Sequence, residues 1–257
     1  MILSPEFYKH ALDGKVFYHF TTDIGLRVIK GEDPAAIVDD LGSIPPKDKA
    51  ALLKELKRLA KNGPGLHPAN YFVQGPRILS RLTLPRKGRK KVVEGLLEPA
   101  PESWTNTRDL PVKGQSFYEF FIDTLTSGGA NIVKKYAKEY TLLKVSIQPE
   151  DDIKIADIAD LVKDATPALQ GEAKNRREKV ALGFHAVAGV VSGTKKYWKS
   201  LVPVSEYKGK ETPTLPVVVC WTSIAPERLE VVQTFSTQQM QQLKNLHWKP
   251  RAKSPSL

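Results

Sequence analysis

The aromatic stretch VFYHFTT, residues 16–22, holds a histidine and a threonine two positions apart, His19 and Thr21. In a strand, residues two apart share a face. The imidazole and the hydroxyl would then stand side by side where the strand hands over to a helix opened by Asp23. Such a pair can hydrogen-bond a sugar hydroxyl or an amide, with the helix N-terminus close by. The plain alternative is a strand end with an internally satisfied histidine. Other chemistries find less support. His10, His19, His67, His185 and His247 form neither HxxxH nor HExxH, and one cysteine completes no recognisable zinc spacing, so no metal is expected. There is no GxxxxGK[ST] and no GxGxxG; TSGGAN and VSGTKK read as glycine turns in loops. VVSGTKK also lacks the first glycine of a serine nucleophile elbow.

Tyr18–His19–Phe20–Thr21 followed by GLRVI resembles the first motif of ADP-ribosyltransferases of the histidine–tyrosine–glutamate type. YTLLKVSIQPEDDIKIADI is similar to the central strand pair of that fold, and EKVALGFHAVAGVV with LPVVVCWTSIAPERLEVV is similar to its C-terminal end. The resemblance implies NAD as substrate and cleavage of its nicotinamide–ribose bond. It implies that His19 holds the ribose, that Thr21 supports it, and that Tyr71 stacks on the nicotinamide, with Tyr118 the second candidate. The family's catalytic glutamate usually stands at or just before the strand read here as LPVVVCW, where this chain has Leu215 and Pro216. The neighbouring acids are Glu206 and Glu211 upstream and Glu227 and Glu230 downstream. Glu211 is the candidate for stabilising the positive charge that develops on the ribose.

Two further readings stand beside this one. Glu172 and Arg176 are i and i+4 on an expected helix and would share a face. With Trp198 further on, they resemble the active-site helix of ribosome-inactivating RNA N-glycosidases; an ordinary surface ion pair is the plainer account of Glu172 and Arg176. The third reading is non-enzymatic binding of nucleic acid. Arg77, Arg81, Arg86, Lys87, Arg89, Lys90 and Lys91 form the densest basic run, with Tyr71, Phe72 and Trp104 as stacking partners.

The elements expected to position these residues describe an α+β chain with a split, twisted sheet flanked by helices. Strands are expected at 15–22, 69–74, 141–147 and in LPVVVCWTSI, with a last one in LEVVQTF. Helices are expected at 23–30 and over KAALLKELKRLAKNG, capped by Asp48 and closed by Gly63. QGEAKNRREKVALGFHAVAGVV is expected to begin as a charged helix and end as an apolar strand. Residues 1–235 read as one domain, with a basic, proline-rich insertion at 75–115 and a polar, basic, flexible tail at 236–257.

The 257 residues suffice for a core without staples. Cys220, in PVVVCW, reads as a buried, inert thiol. No apolar run is long enough for a membrane span, and the acid and proline near the N-terminus disfavour a secretory signal. The expected location is cytoplasmic, or the cytoplasm of a target cell reached by delivery. A formal charge of +11 and a pI near 9.5 favour polyanionic partners. The expected partners are a macromolecular acceptor, including nucleic acid or the ribosome. A toxin or effector role, with an inhibitor or immunity partner, follows from the same resemblance.

Overall fold

A computed structural model describes residues 16–68, 91–97, 131–157, 175–207, 216–236 and 238. Among the described residues, seven antiparallel strands form one sheet in the order β5-β4-β6-β2-β1-β3-β7. The strands are β1 (Val16–Thr22), β2 (Val93–Leu96), β3 (Glu139–Ser146), β4 (Ile153–Asp157), β5 (Val202–Pro203), β6 (Pro216–Cys220) and β7 (Leu229–Ser236). The helices are α1 (Asp23–Ile29), α2 (Pro34–Asp40), α3 (Pro46–Leu59), α4 (Asn131–Tyr136) and α5 (Arg176–Lys199). The chain is therefore α+β.

The strand pairing is uneven. β1 runs beside β3 through seven paired residues, from Val16↔Ser146 to Thr22↔Tyr140. On its other side β1 meets β2 at Tyr18↔Leu96 alone. β2 is then carried by β6, from Val93↔Cys220 to Leu96↔Val217. The sheet thus consists of two well-paired halves joined in the middle by one residue pair. β2 comes from within 75–115, the segment with the least regular sequence.

Two apolar clusters hold the fold. Phe17, Val93, Leu97, Leu143, Val145, Ile153, Ile155, Val218 and Cys220 line one face of the sheet, with Ile29, Leu66 and Ile224 packed on them. The second cluster joins the helices, with Ile24 and Val28 of α1 against Ile37, Val38, Leu52, Leu56 and Val133. α1 therefore touches both: its 24/28 side faces the helices and Ile29 faces the sheet. Leu52 and Leu56, one turn apart, are fully buried on α3.

Several expectations change. Asp48 does not cap α3: Pro45 holds the cap position without a side-chain bond, and Pro46 starts the helix. Asp48 instead accepts from Lys135 Nζ at 2.6 Å and Tyr136 Oη at 2.5 Å, tying α3 to α4. The proline-punctuated stretch after Gly31 contains a helix, α2, capped by Asp33 with Pro34 in its first turn. The apolar GFHAVAGVV is not a strand. It continues α5 through VSGTKK to Lys199, so that motif is helical and not a loop. An uninterrupted charged start let the helix propagate through residues whose branching alone suggests a strand. Cys220 is fully buried as expected, and burial pushes its thiol up to about 11. The strand expected at 69–74 and the tail beyond Ser236 lie outside the described residues, apart from Gln238.

Candidate functional site

β1 delivers His19 and Thr21 to a cavity of about 430 Å³ at the place where β1 and β2 part. That volume is ordinary for a small-molecule site. The cavity is walled by the end of β1, the start of α1, the C-terminal end of α3 with the turn after it, the start of β2, and α4.

The β1–α1 junction is fixed by local bonds. The Thr22 hydroxyl accepts from the Gly25 N–H at 2.9 Å, capping α1. Residue 25 has no room for a side chain, because a Cβ there would fall 2.4 Å from the Thr21 hydroxyl oxygen. The absent Cβ lets the Thr21 hydroxyl lie against the first turn of the helix.

His19 is held by one bond from across the parting strands. Its Nδ1 lies 2.7 Å from the carbonyl oxygen of Glu94. A carbonyl only accepts, so Nδ1 carries the proton and Nε2 keeps a lone pair. Burial pushes the His19 pKa below its usual value, and the Glu94 carbonyl pulls weakly the other way, so the ring is neutral at pH 7. A neutral imidazole with a free Nε2 acceptor suits a ligand hydroxyl.

Glu94 is itself 4% exposed, and burial raises its carboxyl well above the ordinary range. Strand alternation separates the Glu94 side chain from His19. Val93 and Leu97 share the cluster face with Phe17, so residue 94 points to the other face. At the cavity Glu94 thus contributes its carbonyl to His19.

The rim is cationic. Arg58, Lys61, Lys91 and Lys134 all border the cavity. Arg58 is committed to Glu55, with Nη2 at 2.5 Å from Oε1. Lys61 and Lys91 are exposed. The arrangement favours an anionic ligand. At the mouth, Gly65 takes φ +115°, and a Cβ there would meet the Ile224 carbonyl at 2.4 Å. That close approach permits the Leu66↔Ile224 bridge and brings His67 beside the turn after β6.

Of the residues singled out in the sequence, the structure brings His19, Thr21 and Lys91 to one cavity. Glu211, Tyr71, Tyr118, Phe72, Trp104, Arg77, Arg81, Arg86, Lys87, Arg89 and Lys90 lie outside the described residues. So does Glu172; Arg176, exposed, is the first residue of α5. Trp198 is buried on α5, its ring 6.1 Å from that of Trp221. Glu206 and Glu227 lie in 3-10 turns, and Glu230 on the edge strand β7 pairs with Lys144 on its neighbour β3. Sequence reasoning missed Arg58, Lys61, His67 and Lys134, which reach the cavity from segments with no motif of their own. The only local signal was the basic end of the amphipathic α3.

Among the described residues no group of three or more His, Cys, Asp or Glu side chains could hold a metal ion. No described helix is long and apolar enough to cross a membrane. No protein-family model, curated protein or solved structure matches this chain.

Proposed function

We propose that this chain cleaves NAD at the nicotinamide–ribose bond and transfers the ADP-ribose to a macromolecule, within an ADP-ribosyltransferase-like fold. The observation that carries the reading is the shared cavity. The histidine and threonine of the YHFT motif open onto one space of suitable size with four cations around it. The sheet that parts between β1 and β2 at that cavity supports the split core this reading expects.

In this site the neutral His19 accepts a hydrogen bond from a ribose hydroxyl at Nε2. Its other nitrogen stays locked to the Glu94 carbonyl, which fixes the ring plane. The Thr21 hydroxyl, held against Gly25, supplies a second polar contact. The cations on the rim attract the diphosphate. As the glycosidic bond lengthens, the ribose gains positive charge; Glu211 is the carboxylate assigned to stabilise it. The role suits a toxin or effector acting in a cytoplasm, its acceptor protein or nucleic acid.

The test is nicotinamide release from NAD by wild type and His19→Ala. Loss of this contact is expected to slow release about tenfold, since leaving a buried partner without its hydrogen bond typically costs about 1–3 kcal/mol. Equal release by both proteins would remove His19 from the site. No release by the wild type, with no shift in melting temperature on adding NAD, would overturn the reading.

A further inference from the structure

The charged side chains around the cavity are of one sign. Arg58, Lys61, Lys91 and Lys134 border it, and Glu94 is the only acidic residue among the described ones that line it. The Glu94 side chain faces the other side of the sheet from His19, because it alternates with Val93 on the strand. The described residues therefore offer no carboxylate to a ligand in the cavity. Arg58 is balanced by Glu55. Lys61 and Lys91 are exposed, and neither forms an ion pair with another described residue. They arrive from separate parts of the chain. Lys61 sits in the 3-10 turn Ala60–Asn62 after α3, and Lys91 lies just before β2. Lys134 adds another cation from α4.

Like charges gathered around one cavity repel each other, and a wall without carboxylates leaves that repulsion for the ligand to offset. NAD offsets only part of it, since each phosphate of its diphosphate carries a single negative charge. The adenosine ribose is where the two nicotinamide dinucleotides differ. A carboxylate accepts from the free 2′-hydroxyl of NAD and repels a phosphate there, whereas a cation receives the 2′-phosphate of NADP. A phosphate monoester adds about −1.5 to −2 of charge near pH 7. Lysine suits such a group at an exposed rim, because its ammonium is a point charge on a flexible stem. We propose that the dinucleotide taken by this site is NADP in preference to NAD, and that Lys61 and Lys91 bind its 2′-phosphate. This rests on the reading above, in which a nicotinamide dinucleotide fills the cavity.

The experiment measures the dissociation constants of NAD and NADP for the full chain by calorimetry at about 0.1 M salt, with nicotinamide release from each followed in parallel. NADP is expected to bind about tenfold tighter, the effect of one added charge-assisted contact. Lys61→Gln/Lys91→Gln should bring the two constants together. Lys47→Gln/Lys54→Gln removes the same charge from exposed positions of α3 that do not border the cavity, and should keep the preference. Equal binding of the two dinucleotides, or tighter binding of NAD, would overturn the proposal and leave the NAD reading standing. A preference that survives in Lys61→Gln/Lys91→Gln would overturn it as well. A preference lost equally in Lys47→Gln/Lys54→Gln would trace it to the net charge of the chain and not to this site, which also overturns the proposal. Binding of neither dinucleotide, with no nicotinamide released, removes both readings.

Discussion

Glu94 shows how one residue carries two separate effects. Its carbonyl sets the tautomer of His19, and its side chain is a carboxyl buried on the opposite face of the sheet. The buried carboxyl makes stability depend on pH. Below its ordinary pKa of 4.5 the group is protonated in both the folded and the unfolded chain. Above that value the unfolded chain releases the proton while the folded chain holds it, because burial disfavours the charge. The unfolded state then binds fewer protons, and stability falls as pH rises until the folded carboxyl also ionises. One proton contributes a slope of at most about 1.4 kcal/mol per pH unit. Glu94→Gln is expected to remove that slope while leaving the backbone contact to His19 in place. Melting curves of both proteins from about pH 4 to about pH 8 should diverge upward in favour of the variant. Parallel curves would mean that the carboxyl meets no penalty.

At the scale of elements, the half of the sheet that bears His19 depends on one buried ion pair. Arg228, in the 3-10 turn before β7, reaches the turn between β3 and β4. Its Nη1 donates to Asp151 Oδ1 at 3.1 Å and its Nη2 bonds Asp151 Oδ2. Nε and Nη2 also donate to the Ser146 carbonyl, at 3.1 and 2.6 Å. The Asp151 side chain is 0% exposed and accepts as well from the Gln148 N–H at 2.8 Å. Removing the guanidinium strands a buried carboxylate, which typically costs about 3–5 kcal/mol. Arg228→Ala should lose about that much in denaturant unfolding. Arg228→Lys should recover only part, since an ammonium cannot serve Asp151 and Ser146 with a planar fork. A loss below about 1 kcal/mol, the worth of a surface pair, would show that this one is solvated.

At the scale of the whole molecule, charge and cavity act together. The chain carries +11, and Arg58, Lys61, Lys91 and Lys134 come to one cavity from three separate segments. Exposed cations lose their long-range attraction as the Debye length shrinks from about 10 Å at 0.1 M salt to about 3 Å at 1 M. The melting-temperature rise caused by a fixed concentration of NAD should therefore shrink over that range. The double substitution Lys61→Gln/Lys91→Gln should weaken both the rise and its salt dependence. A rise that salt leaves unchanged would show that these side chains do not attract the ligand.

Much of this was legible locally. The β1–α1 junction could be read from VFYHFTTDIGLRVI, because an aromatic, β-branched run and a helix opened by Asp23 are properties of neighbouring residues, while the Thr22 cap came from the structure. The leucines of α3 and the buried thiol of Cys220 were equally plain. Boundaries failed where local preference and context disagreed. Branched residues in AVAGVV suggest a strand, yet they extend a helix begun in charged sequence. Asp48 looks like a cap, yet Tyr136 and Lys135, 88 and 87 residues away, claim its carboxylate.

What the amino-acid order determined by itself was the α+β class, the basic charge, and the placing of His19 and Thr21 at the end of one strand. Only the tertiary structure decided the rest: that β1 and β2 part beyond a single residue pair, that Glu94 fixes the ring of His19, and that His67 meets Ser223. The physical reason is separation along the chain. A turn, a cap or a periodic face is set by residues within one or two helical turns of each other. The cavity and the contacts beside it join residues 75 to 156 positions apart, and strand register and packing alone bring these together.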